Sequence, residues 1–382
     1  MKNRLAFVVP YRFVPPLNGG HKAAFGLARA MAPNPDFLVL STDDNSAKKP
    51  IPFPLFRLLP AQKKKYFSPF VAKRIGQFLQ EQKISACLLH QPFIGWMLAP
   101  VLRKQKIGLW IWVQNLEYQR FRSMGKWYWP IVKYIEGSVY RKAQKLFFIS
   151  PDDMAPAIRT FRLKAENCLE LPYCIDRQKP VKNREVYRAR TAVKKRHGLG
   201  EEERLFLFFG PQDYPPNREA VKQILLHINP LLQKKANFPY RIILCGGGLP
   251  SAFRQMKAFS DPHILYAGFV ENIEEYILAA DLVLNPIASG GGVKIKVLEA
   301  LSLGKSVVSF RQGALGVKRD TCPDKLHIVP DYDYLAFAQA VINLLPTTET
   351  PTPPAFYTHY SETHLRNILE KSLNQTRATA LE

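Results

Sequence analysis

The 382-residue chain is short of acidic side chains, of cysteine and of long apolar runs, and each shortage narrows what it can be. Its five cysteines, Cys87, Cys168, Cys174, Cys245 and Cys322, are scattered with no CxxC pair and no metal-ligand spacing. That pattern speaks against a cysteine-built metal site and fits a reducing cytosol. The longest apolar stretch, residues 84–102, is interrupted by His90, Gln91, Pro92 and Pro100, which makes it a poor membrane span. The opening MKNRLAFVVPYRF has a brief apolar run stopped by a proline and an arginine, so it reads as a first buried strand and not as a signal peptide. No internal repeat or low-complexity array appears.

What the chain does have is core-forming material and positive charge. Hydrophobic residues make up 47%, and the length is that of two to three domains. The net charge of +23 is confined to one half. Residues 1–200 hold 36 of the 54 basic and 12 of the 31 acidic side chains, a net of +24, and the remaining 18 basic and 19 acidic residues nearly cancel. A basic half beside a neutral one points to an anionic partner, nucleic acid or anionic lipid.

The stretch from Ser289 to Phe310, SGGGVKIKVLEALSLGKSVVSF, combines a glycine loop, a helix and a strand. Gly290, Gly291 and Gly292 lack Cβ atoms and let backbone N–H groups approach a phosphate. Ile295, Leu298 and Leu301 follow at helical spacing, and Gly304 supplies a stop. Lys294 and Lys296 fall in the first turn, where cations oppose the helix dipole and a bound anion would account for them. Glu299, three residues after Lys296, is placed to accept hydrogen bonds from vicinal hydroxyls. A glycine turn capping an ordinary buried helix is the plainer alternative.

The line ADLVLNPIASGGGVKIKVLEALSLGKSVVSF closely resembles the donor-binding segment of GT-B glycosyltransferases, in the large group of retaining enzymes that use nucleotide sugars. The resemblance implies an α/β fold with two doubly wound, Rossmann-like parallel-sheet domains facing across a cleft. It implies a glycosyltransferase of the hexosyltransferase type that moves a sugar from a nucleoside diphosphate donor, UDP- or GDP-linked, to a hydroxyl of a glycan or lipid-linked acceptor. The setting implied is cell-surface polysaccharide or glycolipid synthesis. Lys294 and Lys296 would carry the catalytic charge stabilisation on the leaving diphosphate, and no metal or other cofactor is expected, since no convincing DxD-type loop is present. Gly290, Gly291 and Gly292 would hold the diphosphate and Glu299 the ribose. Asn217 and Arg218, in GPQDYPPNREAV, fall where the family's turn lies over the donor phosphates, although Asn217 also reads as a helix N-cap. The turn Gly268-Phe269-Val270 resembles the one whose backbone contacts the base, which makes Val270 a donor residue. Gly19 and Gly20 match the first-domain glycine loop that faces the donor; as a strand–turn–helix they also read as a simple connection.

Two positions depart from the family pattern. The segment QNLE after the strand Leu109–Val113 resembles the polar motif His-Asn-hydrophobic-Glu, with Asn115 and Glu117 matching and Gln114 standing where the histidine is expected. Gln114 is retained as a catalytic-site candidate that can hydrogen-bond a sugar hydroxyl but cannot transfer protons near neutral pH. The second glutamate of many relatives, eight positions before Glu299, is Gly291 here. A sugar-nucleotide epimerase or hydrolase on the same fold, a silent sugar binder and a nucleic-acid binder are the alternatives.

The boundaries expected are a first Rossmann-like domain over 1–180, a basic linker over 181–202, a nucleotide-sugar domain over 203–350 and a C-terminal helix crossing back over 351–382. Lys63, Lys64 and Lys65 beside Tyr66, Phe67 and Phe70 form a basic-aromatic cluster suited to anionic headgroups, or a solvated loop. Lys126, Trp127, Tyr128, Trp129, Lys133, Tyr134, Arg141 and Lys142 suit a membrane interface, or a core helix with a wet outer face. The location expected is the inner face of the cytoplasmic membrane, peripherally bound, and no nucleic-acid motif is found.

Overall fold

A computed structural model describes residues 3–47, 49–62, 66, 68–344 and 350–381. These fall into two compact units: Met1–Asp176 with Gly291–Val293 and His359–Glu382, and Arg177–Gly290 with Lys294–Thr358. Lys63, Lys64, Lys65 and Phe67 of the basic-aromatic cluster lie outside the described residues.

The first unit alternates strands and helices in chain order: β1 (Arg4–Val9), α1 (Gly19–Met31), β2 (Phe37–Thr42), β3 (Leu55–Leu59), α2 (Pro69–Glu81), β4 (Ile84–Leu89), α3 (Gly95–Lys104), β5 (Gly108–Val113), α4 (Glu117–Ser123), α5 (Trp129–Tyr140), β6 (Lys145–Phe148), α6 (Pro151–Phe161) and β7 (Cys168–Glu170). All seven strands run parallel in the order β3-β2-β1-β4-β5-β6-β7. RLAFVV, ISACLL and GLWIWV are almost continuously apolar because helices cover both faces of such a sheet. The helices α1, α2, α6 and α11 (Ile273–Ala279, in the second unit) begin where a side chain replaces a missing backbone partner. Asn18 Oδ1 accepts from His21 N at 3.0 Å at the start of α1, and Ser68 with Pro69 opens α2.

The second unit holds α7 (Asn183–His197), β8 (Arg204–Phe209), α8 (Pro215–Gln223), α9 (Asn229–Lys235), β9 (Tyr240–Cys245), α10 (Ser251–Arg254), β10 (Ile264–Gly268), α11 (Ile273–Ala279), β11 (Leu282–Asn285), α12 (Ile295–Ser302), β12 (Ser306–Phe310), β13 (Leu326–Val329), α13 (Tyr334–Leu344) and α14 (Pro354–His359), whose last residue counts with the first unit. Its six strands are parallel in the order β10-β9-β8-β11-β12-β13. Much of the basic run over 181–202 is helical: α7 buries only Ala189, Val193 and Lys194, carries Lys194, Lys195 and Arg196 in its last turn where the dipole favours cations, and stops at Gly198 with φ +62°. The final helical stretch is split. After α14 the chain breaks at Tyr360-Ser361, and α15 (Glu362–Leu381) packs on α1 of the first unit through Arg29 Nε to Glu362 at 2.5 Å and Arg366 Nε to the Ala30 carbonyl at 2.8 Å.

Candidate active site

In the second sheet β8 is followed by β9 and β10 on one side, while β11, β12 and β13 lie on the other. The connections therefore diverge between β8 and β11, and ligands of such sheets bind outside the carboxyl ends of the strands at that point. The two strands pair only at Leu282 with Phe206 and Val283 with Leu207, whereas β11 stays paired with β12 as far as Asn285 and Ser309. A crevice opens past Val283. Its β9 side is closed by tight backbone approach: Gly246 has φ +138°, a side chain there would run into the Gly210 carbonyl, Gln212 N donates to Gly247 O at 2.7 Å, and Gly246 N donates to Gly268 O at 2.6 Å.

Lys296 spans the crevice. Its Nζ donates to Asn217 Oδ1 on α8 at 2.8 Å and lies 4.4 Å from the centre of the Phe208 ring. Asn217 is buried inside α8 and is not its N-cap, a place taken by Tyr214; its Nδ2 donates to the Pro211 carbonyl at 2.8 Å, which turns Oδ1 toward the lysine. Removal from water, then the charge of Lys294, push the Lys296 pKa down to about 7, against an opposing pull from Glu299. The ammonium is thus short of negative charge. Lys294 Nζ donates to the Gly290 carbonyl at 2.9 Å, as does Gln312 Nε2 at 2.8 Å, so this carbonyl, set by φ +88° at Gly290, anchors the loop to α12. Buried Asn285 fixes the far wall by donating to Ser309 Oγ at 2.9 Å and to the Gly313 carbonyl at 2.7 Å.

The first unit has its own divergence point, between β1 and β4. There His90, directly after β4 and fully buried, bridges Tyr11 Oη at 2.8 Å and Gln114 Nε2 at 2.6 Å. A Cβ on Gly20 would lie 3.8 Å from Tyr11 Oη, so the start of α1 stands beside the same group. Below it, Glu136 accepts from Glu117 N at 2.8 Å and Tyr118 N at 2.9 Å and so holds the first turn of α4. Burial pushes its pKa up to about 8, against those hydrogen bonds. Burial also raises the Glu117 carboxyl, while Arg120 at 3.1 Å and Asn115 pull it down.

Residues 203–347 match the family model described as glycosyl transferases, group 1. The chain carries a group 1 glycosyltransferase domain. Among solved structures, this glycosyltransferase is similar to HepE from Anabaena, determined with UDP and glucose (12% identity, 98% of this chain and all of that one, TM-score 0.70). It is similar also to a sucrose-phosphate synthase from Thermosynechococcus elongatus (15%, 99% and 100%, 0.72), and to WaaG, a glycosyltransferase of lipopolysaccharide biosynthesis (16%, 97% and 99%, 0.66). At these identities the likeness establishes the fold, two Rossmann-like sheets of the GT-B type. No curated protein matches the chain.

The glycosyltransferase domain takes in Asn217, Arg218, Val270, Gly290, Gly291, Gly292, Lys294, Lys296 and Glu299, and leaves Gly19, Gly20 and Gln114 outside. The structure brings Lys294, Lys296, Asn217 and Gly290 together. Glu299 is half-buried on α12, and Arg218 half-buried beside Asn217. Val270 follows β10, three places from β11 in the sheet order. Among the described residues no group of three or more His, Cys, Asp or Glu is placed to hold a metal ion. Sequence reasoning missed Tyr11, His90 and Glu136 as members of a site. The one signal for His90 was a polar residue ending the apolar run SACLL.

Proposed function

We propose that this glycosyltransferase moves a sugar from a nucleoside diphosphate donor, UDP-linked before GDP-linked, to a hydroxyl of a glycan or lipid-linked acceptor, with retention and without a metal, in cell-surface polysaccharide or glycolipid synthesis. The observation that carries the reading is Lys296, held by Asn217 across the crevice with its pKa pushed down to about 7 by desolvation and by Lys294, against the weaker pull of Glu299. A diphosphate there supplies negative charge. Charge develops on the leaving diphosphate as the sugar bond breaks, and two lysines fixed beforehand stabilise it without reorganising. Glu299, one turn on, is the ribose ligand of this reading; Gly291, Gly292, Arg218 and Val270 are its further donor residues, and Gly19, Gly20 and Gln114, on elements of the first unit, are assigned separately to donor and sugar. The preference for uridine is supported by HepE, whose structures contain UDP and UDP-glucose.

Thermal unfolding of the purified protein with UDP, GDP, ADP and CDP tests the donor site, because a ligand of the folded state raises Tm by mass action. A rise for one diphosphate that Glu299→Ala and Lys294→Ala remove is expected, and EDTA is expected to leave it unchanged. No rise with any of the four overturns the reading.

The partner surface belongs to the same proposal. On α5 and the turn that leads into it from α4, Trp127, Tyr134, Ile131 and Met124 are 81%, 65%, 55% and 53% exposed beside Lys126 and Lys133, while Tyr128 and Trp129 pack toward the core. Aromatic and apolar tips among cations suit an anionic bilayer surface. No helix among the described residues is long and apolar enough to cross one. Flotation with phosphatidylglycerol vesicles is expected to carry the protein, and Trp127→Ala to weaken it; failure to float at low salt refutes the assignment.

A further inference from the structure

The imidazole of His90, fully buried, lies between the side chains of two residues that are only half-buried. In the sheet order β1-β4-β5 it follows the middle strand, while Tyr11 and Gln114 follow the strands on either side, both half-buried. Phe7 and Trp112 pack against the imidazole at centroid distances of 5.8 and 5.5 Å, and its own backbone N donates to the Val8 carbonyl. Tyr11 Oη lies 2.8 Å from its Nδ1 and 3.2 Å from its Nε2, and the Gln114 amide lies 2.6 Å from Nε2, so Nδ1 is the nearer partner of Tyr11 and Nε2 that of Gln114.

We propose that His90 is a positioning residue whose single ring proton couples Tyr11 to Gln114, so that the pair always presents one donor and one acceptor to a sugar hydroxyl. This rests on the glycosyltransferase reading above for the nature of the ligand. Burial, then the charge of His21, hold the His90 pKa down at about 3, so the ring carries one proton throughout the physiological range. With that proton on Nδ1, His90 donates to Tyr11 Oη and accepts from the Gln114 NH2; the Tyr11 O–H is then turned outward to donate, and the Gln114 carbonyl is left to accept. With the proton on Nε2, the amide turns over, the Gln114 carbonyl accepts from the ring, Tyr11 donates to Nδ1, and outward the roles exchange. In either state a hydroxyl, which donates once and accepts, satisfies both neighbours. Carboxylate and phosphate oxygens only accept and an ammonium only donates, so neither satisfies the pair.

Full-length protein labelled with [15N]histidine reads the tautomer from the ring nitrogen shifts. A buried N–H without a partner is worse than a buried lone pair without one. Tyr11→Phe is therefore expected to place the His90 proton on Nε2 and Gln114→Leu to place it on Nδ1. The same tautomer in both variants overturns the relay, whatever the ligands do. The hydroxyl half is read from dissociation constants for UDP and for UDP-glucose, UDP-galactose and UDP-N-acetylglucosamine. At least one sugar nucleotide is expected to bind about tenfold tighter than UDP, with His90→Phe removing that increment and leaving UDP affinity unchanged. An increment that survives His90→Phe, or none in the wild type, overturns the hydroxyl reading. Loss of UDP binding itself in the wild type overturns the donor assignment, and with it the sugar, while the tautomer result stands on its own.

Discussion

Replacing Lys296 by methionine should stabilise the empty protein and weaken its affinity for a nucleoside diphosphate. A lysine whose pKa falls from 10.5 unfolded to about 7 folded is charged against its surroundings. At about 1.4 kcal/mol per pH unit, its charge destabilises the fold at pH 7 by at most about 4 kcal/mol. The side chain is only half-buried and solvent relaxes around it, so about 2–3 kcal/mol is the realistic share. Against this the variant loses the cation over Phe208, about 0.5–1 kcal/mol, and leaves Asn217 Oδ1 short of a donor, about 1 kcal/mol. The methionine retains the apolar stem. The net expectation is a gain of roughly 1 kcal/mol, or a Tm about 2–4 °C higher. With ligand the sign reverses, because a charge-assisted hydrogen bond to phosphate is worth about 2–3 kcal/mol, so affinity falls roughly 30- to 160-fold. Differential scanning calorimetry with and without UDP measures both. A variant less stable than the wild type when empty, or one still stabilised by UDP as strongly as the wild type, refutes the reasoning.

The depressed lysines also set a pH dependence. Lys296 at about 7 and the buried Lys305 and Lys325 at about 8 all lie below their unfolded values, so their destabilisation is full below those folded values and fades as pH rises toward 10.5. Urea midpoints of the unliganded protein should therefore climb from pH 7 to 9, and a falling midpoint over that range contradicts the burial of these amines. Isothermal titration in buffers of different ionisation enthalpy should show proton uptake when UDP binds at pH 7.5 or above, since a diphosphate returns the Lys296 pKa upward; zero uptake separates the lysine from the ligand. Gly246→Ala, which combines a φ of +138° with a collision against the Gly210 carbonyl, should destabilise by roughly 3 kcal/mol or more in urea unfolding. A loss under 1 kcal/mol means that the turn after β9 is free to move away from β8.

The sequence by itself determined the alternation of strand and helix and the position of the glycine loop before α12. These are local properties: strands buried on both faces must be almost wholly apolar, and a loop that turns sharply into a helix needs glycine. What it concealed lies mostly at edges and across distance. β3 and β13 passed unread, because outer strands carry a weaker apolar signal: Leu55–Leu59 and Leu326–Val329 are only partly buried. The C-terminal helix was legible but not its break at Tyr360-Ser361, where the Tyr360 carbonyl accepts from Ile175 N, a partner 185 positions earlier. Asn217 offers the same side chain to a cap or to a lysine, and only the approach of α12 to α8, 79 residues apart in sequence, decides for Lys296. His90 is likewise one polar residue after an apolar run until the sheet order sets β4 between β1 and β5. Side-chain chemistry follows from periodicity only while its partners are close in sequence; the charge balance of Lys296 and the proton of His90 depend on neighbours that the strand order alone brings within reach.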